Sequence, residues 1–116
     1  MIEKKLDSLS KSKFRSSFHL NKKMKEYVIE KGMDILRSHA HDFVLSHLAP
    51  TYPNNDGKQT PMKQVHPVFI AMHACACCCR GCLEKWHGIE KGRELTQKEI
   101  DYVVDILMTW INSQLN

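Results

Sequence analysis

The clearest pattern in the chain is near its end, where Ile100, Val103, Val104, Leu107 and Ile111 fall on one stripe at helical spacing. Thr96-Gln97-Lys98-Glu99 precedes that stripe and has the form of a capping box, in which hydroxyl and carboxylate each satisfy a free backbone N–H. A second stripe joins Leu36, Ala40, Phe43, Val44, His47 and Leu48, and stops at Pro50. Ahead of it, Asn21 can cap a helix over residues 22–31, which Gly32 weakens or bends. A third helix opens at Pro67, a residue suited to a first helical position, and runs through residues 68–76. It reaches His87 if it survives Gly81, whose cost of about 1 kcal/mol relative to Ala favours a break or kink near Arg80-Gly81. Gly88 then supplies a C-terminal stop.

Between Pro50 and Pro67 the pattern dissolves. Tyr52-Pro53, Asn54-Asn55-Asp56-Gly57, Thr60-Pro61 and His66-Pro67 are turn signals, so a long Pro/Asn/Gly-rich loop precedes the cysteine-rich helix. Asp56-Gly57-Lys58 lacks the glycine spacing of a phosphate loop and reads as a turn. No segment alternates with the two-residue period of a strand. The expected fold is all-α: one small bundle of about four helices in a single domain over residues 1–116. Trp86 and Trp110 are expected as core anchors, and Phe69 and Met72 as packing.

Composition agrees with one domain. The chain has 116 residues, 42% hydrophobic and 26% charged, too apolar for disorder and too short for two cores. No run of apolar residues is long enough to span a membrane, and the N-terminus lacks the apolar core of a signal peptide. Charge is uneven. Residues 1–37 hold ten Lys and Arg against five acids, whereas residues 38–116 hold seven against eight. Residues 1–20 read as a partly mobile basic arm, which keeps the protein in solution. A second reading makes the front of the chain a nucleic-acid-associated module. Lys11, Lys13, Arg15, Lys22 and Lys23 would neutralise phosphates, with Phe14 and Phe18 interleaved for stacking.

The candidate chemistry lies in residues 66–87. All five cysteines fall between Cys75 and Cys82, a crowding unlike the spread cysteines of a secreted disulfide framework, and the expected compartment is the reducing cytoplasm. Cys79-Arg80-Gly81-Cys82 is a pair with two intervening residues, a spacing that lets both sulfurs converge on one tetrahedral ion. On a helix, Cys78 and Cys82 would also share a face. His73 lies six residues before Cys79 and His87 five after Cys82, so these two and His66 can complete a ligand set. Zinc suits mixed sulfur and imidazole ligands; thiolates also hold iron–sulfur clusters. Two other readings stand beside this one. Cys75, Cys77 and Cys78 can be small core residues next to Ala71, Ala74 and Ala76. Alternatively, the cysteine pair does thiol chemistry in an enzyme whose reaction the residues do not name. A continuous helix disfavours that, since a reactive first cysteine needs a helix N-terminus; a break at Cys78 would restore it. His39 and His47 flank Phe43 on one face and read as core-edge residues, with a ligand role as the sharper alternative.

The block also resembles a known family. His66-Pro67-Val68-Phe69, His73-Ala74 and the run from Cys78 to His87 are similar to the hallmark of a bacterial family called domain of unknown function 4186. Ser12-Lys13-Phe14-Arg15, residues 55–62 and Lys91-Gly92-Arg93-Glu94-Leu95-Thr96 extend the resemblance over nearly the whole chain. The family pattern usually has threonine at the positions of Cys75 and Cys77 and glutamine at Met72. The resemblance therefore implies that Cys78, Cys79, Cys82, His66, His73 and His87 are the shared candidates. It implies no reaction.

Overall fold

The computed structural model describes residues 2–54, 56 and 58–115; Met1, Asn55, Gly57 and Asn116 lie outside the described residues, and with them part of the expected Asn54–Gly57 turn. The described residues form helices and no strand, as expected, but with seven helices in place of about four. They are α1 (Ile2–Ser10), α2 (Lys13–Ser16), α3 (Lys22–Lys31), α4 (Met33–His47), α5 (Pro67–Ala74), α6 (Arg80–His87) and α7 (Gln97–Gln114).

The core is the α7 stripe. Ile100, Val103, Val104, Ile106, Leu107, Met108 and Ile111 are buried against Leu36, Ala40 and Val44 of α4 and Val68, Ile70 and Ala71 of α5. The capping box forms as read: the Thr96 hydroxyl accepts the Glu99 N–H at 3.2 Å and the Glu99 carboxylate accepts the Thr96 N–H at 2.9 Å. Asn21 caps α3 through the Met24 N–H. Gly32, at φ +87°, joins α3 to α4 in a conformation that a side chain would strain.

Two features raise the helix count. Residues 2–16, read as part of a basic arm, coil into α1 and α2; Leu9 is buried, and the α1 residue Lys5 donates to the Trp86 carbonyl at 2.6 Å. The third helix of the sequence reading is two. It ends at Ala74, and Ala76 takes φ +57°, a left-handed conformation uncommon outside glycine. Cys79 is extended and caps the next helix, so the break lies at residues 75–79, ahead of Gly81, which sits inside the first turn of α6.

The long loop is tied at both ends. The side chain of Gln64 donates to the His19 carbonyl and accepts the Asn21 N–H. Arg80, almost fully buried, reaches back from α6 and donates to the carbonyls of Leu48, Pro50 and Glu90 at 3.1, 2.9 and 2.9 Å.

Candidate metal centre

The break between α5 and α6 creates the site. Because Cys79 ends the extended segment, its sulfur turns back over the start of α6 and accepts the Cys82 N–H at 3.3 Å. This is a helix cap made by a thiol, and it sets Cys79 and Cys82 side by side. Cys78, one residue earlier, brings its sulfur to 3.5 Å from that of Cys82. All three sulfurs lie within 4.8 Å of one another. Sulfurs at the corners of a tetrahedron around zinc, each about 2.3 Å from the ion, stand about 3.8 Å apart. The observed spacing is compatible with three ligands that could hold one ion.

A cation from the far end of the chain completes the arrangement. Arg15 of α2 is buried and donates to the Cys82 sulfur at 3.1 Å, to the Cys78 sulfur at 3.6 Å and to the His73 carbonyl at 2.7 Å. The Cys78 thiol is lowered to about 7, first by its hydrogen bond with Cys82 and then, against its burial, by Arg15. Cys82 is raised, first because its neighbour Cys78 takes the charge. The two titrate as a pair, with the first proton leaving at Cys78. Cys79 is raised by burial. Three thiolates around a divalent ion would carry one net negative charge, and Arg15 stands where that charge would be offset. Spacing could not have found Arg15 beside the sulfurs, since it lies 63 residues from Cys78 in sequence; the sequence singled it out only within Ser12-Lys13-Phe14-Arg15 and among the basic residues read for nucleic acid.

The candidate histidines are engaged elsewhere. His73 is buried; its Nε2 donates to the Thr60 carbonyl at 2.7 Å and its ring stacks on Phe18 at 5.4 Å. His87 Nε2 donates to the Cys75 carbonyl at 2.8 Å and Nδ1 accepts the Tyr102 hydroxyl at 2.7 Å. His66 caps α5: Nδ1 accepts the Val68 N–H at 3.0 Å, so the proton sits on Nε2, which faces His39 Nδ1 at 3.1 Å. His47 Nδ1 meets the Thr60 hydroxyl at 3.0 Å. Among the described residues, the close group contains the three cysteines and no imidazole. Cys75 and Cys77 are fully buried and their thiols are pushed far up by desolvation, which makes them inert core residues. Of the basic residues read for nucleic acid, Lys11, Lys13, Lys22 and Lys23 are exposed, while Arg15 faces the sulfurs.

Burial holds His66 down to about 4, with His39 adding to the effect. The unfolded chain would bind that proton from about pH 6.5 downward, whereas the folded one resists it to about pH 4. The stability tied to neutral His66 is therefore complete above pH 6.5 and is lost as pH falls towards 4. His66→Asn keeps a capping side chain. Its urea midpoint should fall less steeply across this window than that of the wild type; equal slopes would assign the acid sensitivity to other groups.

No described helix is long and apolar enough to cross a membrane. A family model described as "Domain of unknown function (DUF4186)" matches residues 3–112. No solved structure matches the chain.

Proposed function

The chain belongs to the DUF4186 family, whose description states no function, and from the site itself we propose that it binds one zinc ion through Cys78, Cys79 and Cys82. The observation that carries this reading is the convergence of three sulfurs within 4.8 Å at the start of α6. Zinc accepts thiolates in tetrahedral geometry, and water takes the fourth position when the protein supplies three ligands. An iron–sulfur cluster spreads three thiolates over at least two irons and so further apart, and the crowding here favours a single ion.

Three protein ligands leave the coordination open to water, as in catalytic zinc sites, and the same ion would also serve the fold. It would join the strained turn before α6 to the first turn of that helix, beside the guanidinium that anchors α2, and its binding energy would add to folding energy. Five unpaired thiols suit a reducing compartment such as the cytoplasm. His66, His73 and His87 then serve as caps and core partners, with Cys78 taking the ligand position that spacing offered to an imidazole.

Protein purified without a metal-affinity tag should contain about one zinc per chain, and chelation should lower its melting temperature. Less than about a tenth of an equivalent of any metal, with melting unchanged by chelator, would reject the proposal.

A further inference from the structure

The break at residues 75–79 gives the sulfurs a second chemistry. A continuous helix would leave Cys79 in mid-helix, but the structure puts it at a helix N-terminus with the paired Cys82 three residues on. The Cys78 and Cys82 sulfurs, 3.5 Å apart, need to close by only about 1.5 Å to reach the length of a disulfide. Cys79 is occupied differently, its sulfur holding the Cys82 N–H. Access is also graded: Cys82 is part-exposed, Cys78 is nearly buried behind it, and Cys75 and Cys77 are sealed in the core. Arg15, 3.1 Å from the Cys82 sulfur, places a cation where negative charge appears as an O–O bond breaks.

We infer that, when no metal occupies the site, Cys82 and Cys78 form a dithiol that reduces hydroperoxides. One sulfur of the pair, as its thiolate, takes one oxygen from the peroxide, the O–O bond breaks, and the proton released in forming that thiolate goes to the departing alkoxide. The products are a sulfenic acid and an alcohol, or water when the oxidant is hydrogen peroxide. The other sulfur of the pair then attacks the sulfenic sulfur; the S–O bond breaks and hydroxide leaves with that thiol's proton as water. Two thiols and one peroxide thus yield one disulfide, one alcohol and one water. An external thiol reverses the reaction by exchange. The chemistry does not need the zinc reading. If that reading holds, however, the disulfide removes two of the three ligands, and the ion protects the pair while it is bound.

Metal-free full-length protein treated with equimolar hydrogen peroxide tests the inference. Two of its five free thiols should disappear and return with dithiothreitol. Trypsin cuts at Arg80 and Lys85, so the oxidised protein should yield residues 81–85 joined by a disulfide to residues 64–80. That joined peptide should persist in Cys79→Ser, whose hydroxyl can keep the cap, and vanish in Cys78→Ser. A thiol count that stays at five, a product carrying only sulfinic acid, or a joined peptide that survives in Cys78→Ser would each overturn it. The two proposals fail separately. A chain that takes up zinc but forms no disulfide rejects the dithiol alone; one that forms the disulfide but takes up no metal rejects the zinc alone.

Discussion

Arg80→Ala is expected to lower unfolding free energy by about 4 kcal/mol. Three features add up at this residue. Its guanidinium bonds the carbonyls of Leu48, Pro50 and Glu90, which come from the end of α4, the start of the long loop and the segment after α6. Truncation leaves those acceptors short of a donor, at about 1 to 3 kcal/mol for each that water fails to reach. It also empties the volume of a side chain only 1% exposed. Arg80→Lys is a sharper probe, because an ammonium on a flexible stem cannot span three carbonyls as a planar fork does. It should recover less than half of the loss in urea unfolding. Among the described residues the Arg80 side chain makes no salt bridge, and burial lowers its proton affinity. The clamp therefore works through directed hydrogen bonds, and added salt should change the loss little. A loss below about 1 kcal/mol would show that the loop and α4 are held without it.

Cys82→Ser carries the second large expectation: zinc affinity reduced by at least about a hundredfold in competition with a chromophoric chelator. Cys82 lies at the centre of the group, bonded to Cys78 at 3.5 Å, to Arg15 at 3.1 Å and, through its N–H, to Cys79. Serine keeps the backbone bond and removes the soft donor. Cys77→Ser is the matched control. It alters a sulfur that is fully buried and bonded to the Cys75 carbonyl, so it should cost stability while leaving zinc affinity within about threefold. Equal losses in both variants would mean that metal binding follows global stability and not these three ligands.

The helices that were legible in the sequence are those with strong local signals at both ends. Helix α7 has its capping box and apolar stripe, α3 its Asn21 cap, and α4 its stripe and the Pro50 stop. Helices α1 and α2 were hidden because the excess of Lys and Arg over residues 1–37 drew the front of the chain into a basic-arm reading, although Ile2, Leu6 and Leu9 recur at helical spacing and pack on the core. The division of the cysteine-rich segment was placed at Gly81 on propensity; the backbone turns earlier, at Ala76, where nothing in the residue type announces a left-handed conformation. The site was legible as a cysteine pair, since that signal is local. Cys78 was legible too, from the face it would share with Cys82, but the groups that surround the sulfurs were not. Arg15 arrives through tertiary packing, and spacing made His73 and His87 look available when a Thr60 carbonyl and a Tyr102 hydroxyl already hold them. Sequence proximity limits which groups can meet. Competing hydrogen bonds decide which of them do.

The handedness of one residue sorts the five thiols. Were the helix of α5 to run on through Ala76, Cys75, Cys78, Cys79 and Cys82 would fall at three- and four-residue steps and form a single seam of sulfur along one face. The positive φ at Ala76 cuts that seam. Cys75 and Cys77 stay with the interior of the bundle, and the other three leave with α6. A small side chain that fits the core should therefore be tolerated at positions 75 and 77, whereas 78, 79 and 82 keep their sulfurs together at the start of α6. A single backbone torsion thus places neighbouring cysteines in two different surroundings.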